Sequence, residues 1–150
     1  MIMNKGLTLL EIIVALSILF ILGAIAVLAF SNYSKNSLLG EARARVISEL
    51  NYARSETLAS ENKSSWGVHF ETSRVVRFKG SSYSSSDTSN VPIDLPAGTT
   101  ISSINLGGQT EVIFERLTGR TGNIGSIRIE LTSNSQASTT INIYASGLAE

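Results

Sequence analysis

His69 is the only histidine in this 150-residue sequence, and there is no cysteine. A Ser-His-Asp triad or a histidine-based metal site would have to be built around that one imidazole, and thiolate ligands, cysteine nucleophiles and disulfides are excluded. His69 lies in Trp66-Gly-Val-His-Phe70, an alternating stretch that reads as a strand, where its role is structural or on the surface. Asp87 and Asp94 stand apart, without the dense acidic spacing of a calcium loop, so no metal and no cofactor is assigned. Gly107-Gly108 and Gly119-Arg-Thr-Gly122 lack both the GxxxxGK[ST] pattern and the strand-to-helix setting that aim backbone amides at a phosphate, and they read as hairpin turns. Arg116, Arg120 and Arg128 are near enough in sequence to contact phosphates together. They are interleaved with Glu111, Glu115 and Glu130, which read as pairing with them or cancelling them. Twelve Lys+Arg balance twelve Asp+Glu, so no overall field draws in nucleic acid. These residues assemble no reaction, and the chain is expected not to be an enzyme.

Glu11 is placed differently. From Ile12 to Phe30 every residue is apolar or small except Ser17, long enough for a helix to cross the hydrocarbon core of a bilayer. At ~1.5 Å rise per residue, Leu7 to Phe30 would extend roughly 36 Å. A short stretch, Met1 to Gly6, precedes it with one cation, Lys5, which favours keeping this end in the cytoplasm. An ordinary secretory signal is the competing reading, with Ala24-Ile-Ala26 or Val27-Leu-Ala29 as its small-residue cleavage site. The apolar run is too long for that, and an acid stands where such signals carry only positive charge. A generic membrane anchor explains the hydrophobicity but not the acid. Insertion of an acid costs on the order of 2.5–3.5 kcal/mol at the centre of a bilayer and less near its edge, so something must offset it. A chain cut after Gly6 would begin at Leu7, and its new amine would lie one helical turn from Glu11, where the helix N-terminus also favours negative charge. The amine of a neighbouring chain could serve equally, rewarding helices packed side by side in a fixed stagger.

Lys5-Gly-Leu-Thr-Leu-Leu-Glu11 followed by the long apolar run resembles the prepilin cleavage and methylation signature of type IV pilin-like proteins. The resemblance implies that a membrane peptidase cuts after Gly6, that Leu7 is N-methylated, and that Glu11 guides assembly. Leu7 replaces the phenylalanine usual at the first mature position. The span contains no proline, so the kink of many major pilins is not implied, and this departure leans toward a minor subunit.

Beyond Phe30, helical periodicity resumes at Leu39, Ala42, Val46, Leu50, Ala53 and Thr57, with Glu41, Arg43, Arg45 and Glu49 assigned to the water-facing side. Gly40 weakens this helix by roughly 1 kcal/mol relative to alanine without ending it. One long helix from about Leu7 to Ser60 is predicted. The remainder alternates: Trp66, Val68 and Phe70; Val76 and Phe78; Ile101; Val112 and Phe114; Ile127, Ile129 and Leu131; Ile141 and Ile143. This pattern predicts about six half-buried strands. Gly80 to Asn90 is Ser-rich and reads as a mobile loop that buries no apolar area, and Ser133 to Ser138 as the turn between the last two strands.

The fold class expected is α+β, a pilin-like lollipop: a long N-terminal helix, its first half transmembrane, packed on a C-terminal antiparallel β domain. Its parts are a cleaved leader 1–6, a transmembrane and filament-core helix 7–30, an amphipathic continuation 31–60 and a globular β domain 61–150. Leu50-Asn-Tyr-Ala-Arg54, Val112-Ile-Phe114 before Thr118-Gly119, Ile127-Arg-Ile129 and Ile141-Asn-Ile143 with Gly147 near the end are similar to the H-type minor pseudopilins of type II secretion and the FimT minor pilins. That resemblance implies a structural subunit of a pilus or secretion pseudopilus. Its partners would be other pilins or pseudopilins, prepilin peptidase, membrane lipid and an inner-membrane assembly platform with its ATPase. The chain would sit in the bacterial cytoplasmic membrane with its leader inside and its C-terminal domain outside, and then pass into the fibre. The alternative implied is DNA capture for natural transformation, which some FimT-like pilins perform through arginines of their last strands and tail. Here the weak candidates are Arg116, Arg120 and Arg128, and the tail Ser146-Gly-Leu-Ala-Glu150 carries no arginine.

Overall fold

Apolar residues three and four apart build α1, and the computed structural model shows which of them it buries. The structure describes residues 8–59 and 64–150, apart from the side chains of residues 28, 29, 31 and 32. Helix α1 runs Leu9–Ala59, followed by β1 Trp66–Phe70, β2 Arg74–Lys79, β3 Val91–Asp94, β4 Thr99–Asn105, β5 Glu111–Ile113, β6 Gly125–Leu131 and β7 Asn134–Ile143. The chain divides into two compact units, Met1–Asn36 and Ser37–Glu150.

In the second unit all strand pairs are antiparallel, in one sheet ordered β3-β2-β1-β5 and another ordered β4-β6-β7. The helix face predicted from spacing is the face that is buried: Leu39, Ala42, Val46, Leu50, Ala53 and Thr57. The first five join one core with Val68, Phe70, Val75 and Val112 of the first sheet, Phe114 just after β5, and Ile127, Ile129, Leu131, Ile141 and Ile143 of the second sheet. Burying such side chains stabilises the fold by roughly 1.5–3 kcal/mol each. Thr57 satisfies its hydroxyl twice, donating to the Ala53 carbonyl at 2.8 Å and accepting the Trp66 amide at 2.9 Å. It thereby ties the end of α1 to the start of β1.

Four expectations need correction. The strands are seven, the additional one being β3. It holds the outer place in its sheet, is largely exposed and contains Pro92, so it shows neither apolar alternation nor ordinary strand composition. The turn between the last two strands is only Thr132-Ser133; β7 begins at Asn134 and bulges between the pairs Leu131↔Asn134 and Glu130↔Ser138. Polar residues are tolerated in this strand because β7 ends its sheet. Gly107-Gly108 does form a two-residue turn with positive φ at both positions, closed by the bridge Leu106↔Gln109. Gly119 to Gly122, however, lies on the connection from the first sheet to the second and is not a hairpin.

The fourth correction is Glu49. It does not face water but forms a salt bridge with Arg77 of β2, the side chains being 17% and 14% exposed, while Arg77 lies over the Tyr52 ring at 4.0 Å. Helix spacing alone cannot distinguish a solvated acid from one whose partner arrives from a distant strand. We predict that Glu49→Ala, which strands a mostly buried guanidinium, destabilises the fold by about 3 kcal/mol. Glu49→Gln should cost less. Urea denaturation followed by Trp66 fluorescence would measure both, and equal stability of Glu49→Ala and the parent would refute the coupling.

Candidate functional site

Thr8 and Glu11 define how α1 begins. The Thr8 carbonyl accepts the Ile12 amide at 3.3 Å, and the Thr8 hydroxyl accepts the Glu11 amide at 3.3 Å. Thr8 is therefore the N-cap, satisfying an amide that has no partner inside the helix. The sequence pattern Thr-Leu-Leu-Glu is that of a capping box, a readable sign of this role, and the first of its two bonds is formed. The second is not formed, because the Glu11 carboxylate has no hydrogen-bond or ionic partner among the described residues. That carboxylate is exposed in the first turn, where the helix dipole favours it.

Past Glu11 the helix is apolar on every side. Leu9–Val27 has a mean hydropathy of 2.8, is long and apolar enough to cross a membrane, and is buried nowhere. Phe20 is 82% exposed, and Leu19, Ile21, Leu22 and Ile25 are likewise open. The single hydroxyl, Ser17, donates to the Ile13 carbonyl at 2.7 Å and is thereby matched within the helix. Between residues 8 and 34 Glu11 is the only charged side chain. Gly6 and Leu7, the expected cleavage and methylation positions, lie outside the described residues.

No protein-family model, curated protein or solved structure matches this chain.

The three arginines do not form one set. Arg128, on β6, donates to the Ser135 carbonyl at 3.3 Å and has Glu130 at 3.9 Å, so it holds the bulge of β7. Arg116 and Arg120 lie on the exposed loop after β5, and neither side chain has a partner among the described residues. Glu115 accepts the Thr118 hydroxyl, and Glu111 turns to His69 and Tyr83, so neither acid pairs with an arginine.

His69 is enclosed in a way that the sequence did not reveal. Tyr83, from the Ser-rich loop, stacks on the imidazole at 4.0 Å and meets the edge of Phe78 at 5.6 Å. Its amide donates to Glu111 and its hydroxyl to Glu71. Arg74 beside Glu71 holds that carboxyl below the usual carboxylate range, while burial and then Glu71 push the Tyr83 phenol upward. The loop is further closed by Asp87, which accepts the Ser89 amide, and by the Asn90 side chain, which donates to the Ser84 carbonyl. The segment 80–90, expected to bury no apolar area, instead sets Tyr83 against Phe78 and lies beside Val76, two buried residues outside the main core cluster. No group of three or more His, Asp or Glu residues suited to a metal occurs among the described residues.

Proposed function

We propose that this chain is a structural assembly subunit of the type IV pilin-like class, a minor pilin or pseudopilin that enters a pilus or a secretion pseudopilus through its N-terminal helix. The observation that carries this reading is a helical segment, Leu9–Val27, with apolar side chains exposed on every side and one carboxylate in its first turn that has no partner among the described residues. Such a surface is stable in lipid or among similar helices, and packing against those helices can replace lipid when the segment leaves the membrane. The carboxylate needs a cation in either setting, and the amine freed by cleavage after Gly6 supplies one. Prepilin peptidase and an ATP-driven assembly platform are the partners this reading requires. The protein carries no reaction of its own in it.

Quantitative mass spectrometry of sheared surface fibres and of the membrane fraction tests the proposal. An N-methylated peptide beginning at Leu7 is expected. Its abundance in fibres relative to other pilins would separate a main subunit from a minor one, and a processed form confined to the membrane would favour a secretion pseudopilus. An intact Met1 peptide as the sole form would overturn the reading. DNA capture remains a second reading on one observation, the two cations Arg116 and Arg120 on a single exposed loop, without partners among the described residues. It requires binding that weakens steeply with salt and with Arg116→Ala and Arg120→Ala.

A further inference from the structure

Where β6 begins and β7 ends, the outer side of the second sheet holds a shallow cleft of about 490 Å³ lined by Ile124, Gly125, Ser126, Asn142, Ile143, Tyr144 and Ala145. We propose that this cleft binds a neutral saccharide, with a pyranose ring laid against Tyr144.

Four features of the cleft support that ligand class. Its size falls within the range of small-ligand pockets. Tyr144 is 44% exposed and Ile124 is 52% exposed, so the apolar part of the cleft is open to a ligand. The tyrosine ring is held in place: its hydroxyl donates to the Glu150 carboxylate at 2.7 Å, and Glu150 is itself fixed by paired backbone bonds with Asn142 at 2.7 and 3.0 Å. An aromatic face positioned in advance binds at lower entropic cost. Ser126 and Asn142 are directly opposed across the β6–β7 pair, and neither side chain has a hydrogen-bond partner among the described residues. They offer a hydroxyl and an amide, both able to donate and accept.

A pyranose presents what this arrangement lacks. One face of the ring is a patch of C–H groups suited to the electron-rich face of an aromatic ring, and its rim carries hydroxyls that require paired donors and acceptors. No charged side chain lines the cleft, which disfavours nucleotides and sugar phosphates, whose charge would lie there without a counter-ion. No residue of α1 lines this cleft, and the inference does not rest on the proposed assembly role.

The test is saturation-transfer NMR on the full chain in lipid nanodiscs, since alkyl-glycoside detergents would compete for the cleft. The probes are maltotriose, cellotriose and triacetylchitotriose. At least one should receive saturation, strongest at the C–H protons of one ring, with a dissociation constant of about 0.1–5 mM. Tyr144→Phe keeps the stacking face and should bind within about threefold of the parent, whereas Tyr144→Ala and Asn142→Ala should each weaken binding at least about tenfold. The Asn142 side-chain amide has no hydrogen-bond partner among the described residues, so that variant reports on binding even where Tyr144→Ala fails to fold. No transfer to any of the three sugars at about 10 mM, or transfer undiminished in a folded variant of either kind, overturns the proposal.

Discussion

Glu11→Ala and Glu11→Lys are expected to insert in the membrane normally and to disappear from assembled fibres. The cap bond survives both changes, because Thr8 accepts the backbone amide of residue 11 and not its side chain. The helix itself loses only the interaction of the carboxylate with its dipole, about 0.3–1 kcal/mol. Insertion is governed by Leu9–Val27, which neither substitution touches apart from position 11 itself. In a dry bundle of helices the loss is larger. An amine left without its carboxylate there costs about 2–3 kcal/mol, which corresponds to a roughly 30- to 150-fold fall in incorporation. Glu11→Gln separates charge from shape and should fall nearly as far. The measurement is the ratio of the variant in sheared fibres to that in membranes, by immunoblot in cells that make the parent machine. Alanine and lysine variants incorporated at the parent level would remove Glu11 from assembly altogether.

Gly147→Ala is expected to be a strongly damaging conservative change in the second unit. Gly147 has φ +79°, and a β-carbon there would fall on the Gly119 carbonyl oxygen and within 3.0 Å of Arg54 Nε. That same carbonyl accepts a hydrogen bond from Arg54 Nε at 3.1 Å, which joins α1 to the loop after β5 and to the C-terminal turn. The substitution adds left-handed backbone strain of about 1–2 kcal/mol, separates the turn from the loop and strands the guanidinium. A total of about 3–5 kcal/mol is expected, or a melting temperature lower by roughly 15 °C or more for a unit of this size. Gly40→Ala is the opposite control. Gly40 is exposed within α1, and nothing lies within 4 Å of an added β-carbon, so alanine there should stabilise by about 1 kcal/mol. Thermal melts of the full chain followed by Trp66 fluorescence would rank the two. A Gly147→Ala protein that melts with the parent would show that the turn and loop can separate without loss.

What could be read in advance follows from how often a signal repeats. The buried face of α1 was legible because six positions from Leu39 to Thr57 keep one helical stripe, and all six are buried. The strands carrying Val68, Phe70, Ile127, Ile129, Ile141 and Ile143 were legible for the same reason at a period of two. A single residue against its surroundings was not. Tyr83 is one aromatic ring in a serine tract, yet it organises the loop over His69 and Phe78. Glu49 looked solvated because the cation that claims it is 28 residues away on β2. In the candidate site, the apolar surface and the isolation of Glu11 were plain from composition. The cap by Thr8 is encoded in only four residues, and the juxtaposition of Asn142 and Ser126 depends on a strand register that no local pattern specifies.

The six buried positions along α1 also have a mechanical consequence. A subunit held by its helix and dragged by its β domain would feel traction along the helix axis. Contacts distributed from Leu39 to Thr57 then resist sliding in parallel, so the force is divided among them and none can be peeled away first. The Thr57 hydroxyl adds a polar tie at the far end of that row, where α1 passes its last load to β1. A domain attached in this way is expected to yield by wholesale slippage at high tension, which would suit the proposed role of a subunit whose helix is gripped while its surface is pulled.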